Sequence, residues 1–439
     1  GSAELYEAFF QRLGIISVTN PSQFLETLKL LCIVGPPTGK RVAGFTCSGG
    51  GATMLADHAE KIDLVFPVVD PKQENDLSAL LPDIATVSNP LDYTTPIWGQ
   101  AEMTYPVFAK AISAIEADTA VLVQDYPAAG IDSSKVFYRA DAIAFAEATT
   151  EKGLPAIICA TLPENMDLET RQLLIEKGVA PMQGIHETLN AIQDSANWKQ
   201  ARAHILSEKP EYLLRAVPSS EKRVLPESDG KEWLKSNGFN VPEGKNVSAQ
   251  QLGEAAIAVG YPVALKMISP RLAHKTEAGA VVLNLKDENS LNLAAAKMKS
   301  DVTAYDARAV SELFLVEAMS PKPLAELIIN IRQDPQFGAA LVLGSGGILV
   351  ELLADSTTLL LPTRPVEIIR ALKSLRVGRL LEGFRGRPAA DIAKVAAEIY
   401  KLSITYQENI KTIAEIEINP LFVYRAEVSA IDVLIQVTN

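Results

Sequence analysis

Hydrophobic and polar positions alternate in two different textures along this chain. In the first half, short β-branched runs at 41–47, 64–69, 119–124, 155–160 and 179–182 alternate with longer apolar stripes at 52–61, 104–116, 136–149, 167–177 and 187–206. Short runs of this kind fit strands buried on both faces, and the stripes fit helices that cover them. Strand–helix alternation with short connections predicts a parallel, doubly wound α/β sheet. Residues 1–33 hold two more helical patterns around Gly14-Ile-Ile-Ser-Val18 and are expected to be the tail of a preceding unit. A stretch rich in charge, proline and serine, 207–229, separates the two halves as a linker.

The second half is patterned differently. Ser248-Ala-Gln-Gln251 is a capping box, followed by Leu252, Ala255, Ala256 and Val259 on one helical face and Gly260 as a stop. In the strand Pro262-Val-Ala-Leu-Lys-Met-Ile268, Val263, Leu265 and Met267 share one face, which leaves Ala264 and Lys266 on the other. Glu415-Ile-Glu-Ile-Asn-Pro420 alternates strictly, with Glu415, Glu417 and Asn419 opposite Ile416 and Ile418. Beyond a turn, Ser429-Ala-Ile-Asp-Val-Leu-Ile435 places Asp432 inside an apolar run. An ionised carboxylate in a central strand is costly unless it is paired or bound to a cation. Glu417, Asn419 and Asp432 on adjacent strands would offer hard oxygen ligands to Mg²⁺. A lysine or arginine across the sheet would answer the same charge, and the pattern leaves both readings open.

Composition then narrows the chemistry. The 439 residues suffice for about three domains, and 48% hydrophobic with 21% charged residues excludes a disordered chain. The net charge of −12 argues against a nucleic-acid partner and leaves any polyanion to local loops and a few cations. No apolar run reaches the ~18 residues that a membrane span needs. Cys32, Cys47 and Cys159 form no metal or redox spacing, in keeping with a reducing, cytoplasmic setting.

Two glycine-rich segments share one logic: a strand, then Ser48-Gly49-Gly50-Gly51 and a helix from residue 52, and a strand, then Gly344-Ser345-Gly346-Gly347 and a helix over 348–353. Glycines ahead of a helix N-terminus let an anion approach its unpaired N–H groups, yet they also serve simply as tight turns. Gly35-Pro-Pro-Thr-Gly39-Lys40 is not a phosphate loop, because its spacing is wrong and it precedes a strand. Among the four histidines, His58, His186 and His204 read as solvated or capping residues. His274, in the loop after the Lys266 strand, is ordinary by pattern alone.

Taken together, the motifs resemble those of the ADP-forming acyl-CoA synthetases, relatives of succinyl-CoA synthetase and acetate–CoA ligase. The resemblance is carried by Pro262-Val-Ala-Leu-Lys-Met-Ile-Ser-Pro270, Ala273-His-Lys-Thr-Glu-Ala-Gly279, Asp334-Pro-Gln-Phe-Gly338, Gly344-Ser-Gly-Gly-Ile-Leu-Val-Glu351 and Glu417-Ile-Asn-Pro-Leu421. The first half contributes Thr46-Cys-Ser-Gly-Gly-Gly-Ala52 and Asn89-Pro-Leu-Asp92. The resemblance implies an α/β chain: a flavodoxin-like CoA-ligase domain over 38–208, a linker over 209–221 and a two-lobed ATP-grasp domain over 222–439. Residues 1–37 would be the remnant of a preceding domain.

By the same resemblance, Lys266 would contact nucleotide phosphate, Glu317 and Met319 would line the adenine, and Glu326 would face the nucleotide. Glu417, Asn419 and Asp432 would hold Mg²⁺, and His274 would relay a phosphoryl group. Ser48–Gly51 and Gly344–Gly347 would grip that group at helix N-termini. The implied reaction passes phosphate from ATP through a histidine to a small carboxylic acid, and CoA then displaces it to leave a thioester, ADP and phosphate.

The family's CoA-binding domain and the domain bearing its principal phosphohistidine have no counterpart in the sequence. The chain is therefore expected to be the later part of a longer enzyme, with those domains supplied in cis or as a subunit, and to form a homo-oligomer without nucleic-acid or membrane partners. Two other readings stand beside this one: a non-catalytic, ligand-sensing region of a related regulatory acyltransferase, and an ATP-grasp ligase joining a carboxylate to an amine.

Overall fold

The structure is a computed structural model that describes residues 2–126, 133–217, 221–272, 275–347 and 355–438. The chain divides into two compact units, Leu13–Pro210 on the one hand and Gly1–Arg12 with Glu211–Asn439 on the other.

The unit 13–210 is built on a parallel sheet of β1 (Val42–Thr46), β2 (Leu91–Asp92), β3 (Thr119–Val123), β4 (Ala156–Ala160) and β5 (Val179–Gln183), in the order β2-β1-β3-β4-β5. This is the flavodoxin-like order, with its switch point between β1 and β3. Strands β1, β3 and β4 are buried along their whole length, which is why they read as continuous apolar runs and not as alternating ones. The run 64–69 does not become a strand. Only Val65 pairs, in a single parallel bridge to Arg41, and Pro67 within the run offers no N–H to extend a ladder. The helix expected from residue 52 begins earlier, at Gly49, so the three glycines form its first turn and not a loop before it. The helix Pro21–Ile33 packs on Ile185–Ser207 in this unit, and the Asn20 side chain caps it.

The other unit holds two antiparallel sheets. The smaller runs β7 (Gly244–Ser248), β10 (Leu313–Ala318), β8 (Val263–Met267), β9 (Val281–Leu285). The larger runs β13 (Ser356–Leu360), β12 (Gly338–Ser345), β11 (Ala325–Asp334), β14 (Ile413–Val423), β16 (Val433–Thr438), β6 (Lys222–Val224), with β15 (Val428–Ala430) paired to β14. The capping box at Ser248 forms as expected, opening a short turn ahead of the helix Leu252–Val259. The helix Ile392–Glu408 covers the larger sheet through Val395, Ile399, Leu402 and Tyr406, against Ile329, Ile416 and Ile418. That packing fixes the other face of β14 as the polar one. The helix Ala3–Leu13 belongs to this unit through Leu5 and Ala8 on Phe337, Ala340 and Leu360, and through Arg12, which donates to the Leu360 and Pro362 carbonyls.

Two expectations about the second half change. Gly344 and Ser345 are the last residues of β12, so only Gly346 and Gly347 leave the strand. The helix expected over 348–353 lies outside the described residues. Asp432 is not inside a strand. It occupies the break between β15 and β16 and is about one-third exposed, so the desolvation that would demand a cation is weaker there than a central strand would impose.

Candidate nucleotide site

The site begins with a local rule of helices. Pro226 starts the helix Glu227–Ser236, and residues four apart share a face, so Glu227 and Lys231 point the same way. On the smaller sheet, β10 runs antiparallel to β8 with Leu315 opposite Lys266, which puts Glu317 diagonally across from Lys266 on one face. These four side chains are buried together. Glu227 Oε1 accepts from Lys266 Nζ at 2.6 Å and is ion-paired with Lys231 Nζ at 2.9 Å, while Glu227 Oε2 is ion-paired with Lys275 Nζ at 2.7 Å. Lys231 also donates to Glu317 Oε1, and Lys266 Nζ reaches Glu317 Oε2 at 3.1 Å and the Ile431 carbonyl at 3.0 Å.

Burial alone would favour the neutral forms of Glu227, Lys231 and Lys266; mutual pairing decides the outcome. For Lys266, burial opposes protonation, but Glu227, Glu317 and Asp432 outweigh it and hold the ammonium above the usual lysine range. Burial likewise works against the Glu227 anion, and the surrounding lysines, Lys266 foremost, hold its carboxyl well below the usual range. Lys231 goes the other way, lowered by burial and by the like charge of Lys266. The cluster thus holds Lys266 and Lys275 firmly protonated and weakens the charge on Lys231, with Glu227 as their shared anion.

Lys275 carries the network onward. Its Nζ donates to Asp432 Oδ1 at 3.1 Å, so the counter-charge to Asp432 is a lysine from the loop after β8. Asp432 adjoins Asn419, whose backbone N–H donates to the Asp432 carbonyl at 3.1 Å. Along β14 the polar face presents Glu415, Glu417 and Asn419, as the alternation required. On the neighbouring β11, Asn330 faces Glu417 and donates from Nδ2 to Glu415 Oε1 at 2.8 Å and to Glu417 Oε2 at 3.0 Å. Asn330 is 8% exposed and its Oδ1 has no partner. Gly347 N donates to Asn419 Oδ1 at 3.3 Å, and Gly346 N donates to the Glu326 carbonyl at 2.8 Å. Gly347 has φ +75°, and a Cβ there would strike the Glu326 carboxylate.

Lys266, Glu317, Glu326, Gly346, Gly347, Asn419 and Asp432 are therefore joined by one chain of contacts, and Glu417 stands two residues from Asn419 on the same face of β14. Met319 lies apart from it: its sulfur accepts from Asn284 N at 3.4 Å at the end of the smaller sheet. His274 lies outside the described residues. Ser48–Gly51 belong to the unit 13–210, where Gly51 packs so closely on Thr46 that a Cβ would lie 2.5 Å from its hydroxyl. The thiols nearby are inert, with burial pushing Cys47 up to about 11 and Cys159 up to about 12.

Among the described residues no three His, Cys, Asp or Glu side chains converge on one point. The oxygen donors Glu417, Asn419 and Asp432 still fit Mg²⁺, which commonly takes one or two carboxylates and completes its shell with water and phosphate. The unpartnered, buried Asn330 Oδ1 beside Glu417 adds a further acceptor facing the same strands. Sequence reasoning missed Glu227, Lys231, Lys275 and Asn330. Of these, Glu227 and Lys231 carry a legible signal, an i,i+4 ion pair opening a helix, and Lys275 stands inside a motif already singled out.

The ATP-grasp domain family matches residues 216–437. A trans-feruloyl-CoA synthase from an unknown prokaryotic organism is 27% identical over 447 residues, covering 100% of this chain and 61% of that protein. An ADP-forming acetate–CoA ligase I of Archaeoglobus fulgidus is 27% identical over 449 residues, covering 98% of this chain and 62% of that protein. The beta subunit of an ADP-forming acetate–CoA ligase II of Pyrococcus furiosus is 34% identical over 217 residues, covering 48% of this chain and 90% of the subunit. The chain thus spans about three-fifths of the length of its long relatives.

Proposed function

The chain belongs to the ADP-forming acyl-CoA synthetase family and carries its ATP-grasp domain, and from that premise we propose that it is the ATP-using part of such a ligase. The observation that carries this reading is the continuous path from Lys266 through Glu227, Lys275 and Asp432 to Asn419, inside the residues that match the ATP-grasp family.

In this reading the lysine cluster receives the nucleotide's phosphates, with Lys266 central to it. Glu326 and the turn at Gly346 and Gly347 border the same space, and Met319 borders the adenine end. Glu417, Asn419 and Asp432 would hold Mg²⁺, which when bound neutralises charge on the phosphates. The chain's own lysines fix the phosphates at one end, and the backbone N–H of Gly347 supplies a preorganised donor near Asn419. His274 would accept the phosphoryl group before it passes to a carboxylic acid, and the helix opened by Gly49–Gly51 would grip the phosphorylated group at its N-terminus. A carboxylate is a poor acylating agent, and phosphorylation gives it a leaving group that the CoA thiol can displace.

CoA would be bound chiefly by the part of the longer relatives that this chain does not match, supplied in cis or as a separate subunit. The reading is tested by following ADP release and thioester formation over a panel of carboxylic acids, with CoA and that complementary part present. ADP formation dependent on both acid and CoA is expected. ATP turnover with an amine and no thioester would favour a carboxylate–amine ligase instead.

A further inference from the structure

Lys266 Nζ donates to Glu227 Oε1 at 2.6 Å and to the Ile431 carbonyl at 3.0 Å, and it is ion-paired with Glu317 Oε2 at 3.1 Å. It is also buried, with its side chain 5% exposed. A phosphate oxygen that reaches this buried ammonium displaces one of these close neighbours. The Ile431 carbonyl is fixed by the backbone, whose N–H donates to the Pro420 carbonyl. Glu317 lies on a strand held on both sides, opposite Gly244 on β7 and Ala264 on β8. Glu227, by contrast, opens a helix from its first residue, and its two oxygens gather Lys231, Lys266 and Lys275 at 2.6 to 2.9 Å. Among the described residues it is the one anion that all three lysines share.

We propose that Glu227 is a positioning residue that stands in for a phosphate group: it collects the three lysines in the nucleotide-free protein and yields them to phosphate oxygens when nucleotide enters. This rests on the reading of the cluster as the nucleotide site and adds how that site is held ready. A carboxylate resembles a phosphate edge in charge and in its two acceptor oxygens, so the exchange keeps the lysines paired throughout and never leaves three bare ammonium groups buried together. The same logic makes Glu227 a competitor. Removing its charge while keeping its shape should strengthen polyphosphate binding, the reverse of what loss of a purely structural residue does.

The test is calorimetric titration of the parent chain and the Glu227→Gln variant with inorganic tripolyphosphate and with Mg·ADP. The exchange predicts that E227Q binds tripolyphosphate about three- to tenfold more tightly than the parent, one uncompensated charge acting across a few ångströms. Unchanged or weaker binding by a folded E227Q, with the parent still binding Mg·ADP, overturns the exchange and leaves the nucleotide site standing. Failure of the parent to bind either probe overturns both. Should E227Q not fold, the structure of the parent crystallised with Mg·ADP decides. Lys266 Nζ bonded to a phosphate oxygen and separated from Glu227 by more than about 4 Å supports the exchange. An intact Lys266–Glu227 pair with phosphate bound overturns it.

Discussion

Lys266 shows how a single residue can be legible and misleading at once. Its place opposite the apolar face of β8 was evident from alternation, but alternation does not reveal that both faces of the strand are buried. The lysine is consequently held by partners from three other segments, Glu227, Glu317 and Ile431, none of which its own strand announces. Breaking such a pair strands its counter-charges. Lys266→Met should lower the stability of its unit by about 3–5 kcal/mol, measured by urea denaturation, unless Glu227→Gln is combined with it. The double variant should recover part of that loss, and an additive double variant would show that the two side chains do not share an environment.

At the same scale, Asp432 reads differently in sequence and in structure because an apolar run does not show where a strand breaks. Lys275 pairs with the Asp432 charge in the nucleotide-free protein, so the proposal that Asp432 joins Asn419 and Glu417 in holding Mg²⁺ rests on the oxygen donors the three bring together and not on an unanswered charge.

Among elements, the helices were placed more reliably than the turns ahead of them. The stripes at 136–149 and 187–206 correspond to Lys135–Glu151 and Ile185–Ser207, because an apolar face of several turns leaves little freedom of register. Glycine runs are less informative, since the same residues serve in a loop, in a first helical turn or at a strand end. Gly49–Gly51 and Gly344–Gly347 took the last two forms.

The turn at Gly347 is specific enough to test. With φ +75° and Glu326 against its open side, Gly347→Ala should cost about 1–3 kcal/mol in thermal denaturation and weaken Mg·ATP binding. A neutral variant would mean that the turn tolerates a side chain. A second element carries a pH prediction. Asp167 caps the helix Leu168–Glu176 and accepts from Lys135 and from Thr170 N. Burial opposes its ionisation, but these donors bring its pKa down to about 2. The folded pKa is lower than the unfolded one, so its stabilisation is present above the ordinary carboxylate range and is lost as the pH falls from about 4 toward 2. Asp167→Asn keeps the cap and removes the charge, so it should flatten the acid limb of the stability profile over that window.

For the whole molecule, the continuous apolar runs of the first half correspond to the parallel sheet, whose strands are covered on both faces, whereas the antiparallel pairing of the second half was not legible from its strand patterns. Long-range pairing is what the sequence did not reveal. Residues 1–12 pack with 211–439, because Leu5, Ala8 and Arg12 find their partners at 337–362. No helix among the described residues is long and apolar enough to cross a membrane. If nucleotide binds where the lysine cluster lies, hydrogen exchange with Mg·ATP should slow in peptides from 225–235, 262–268 and 413–434. Protection confined to 13–210 would relocate the site.

The lysine cluster and the Asp432–Asn419 pair are proposed together to bind Mg·ATP. The most direct measurement is calorimetric titration of Mg·ATP into the parent chain, Lys266→Met and Asp432→Asn, each first checked for folding by circular dichroism. Saturable one-site binding by the parent is expected, abolished by chelating Mg²⁺ and weakened at least about tenfold in both variants. Equal binding by all three proteins, or none by the parent, would contradict it.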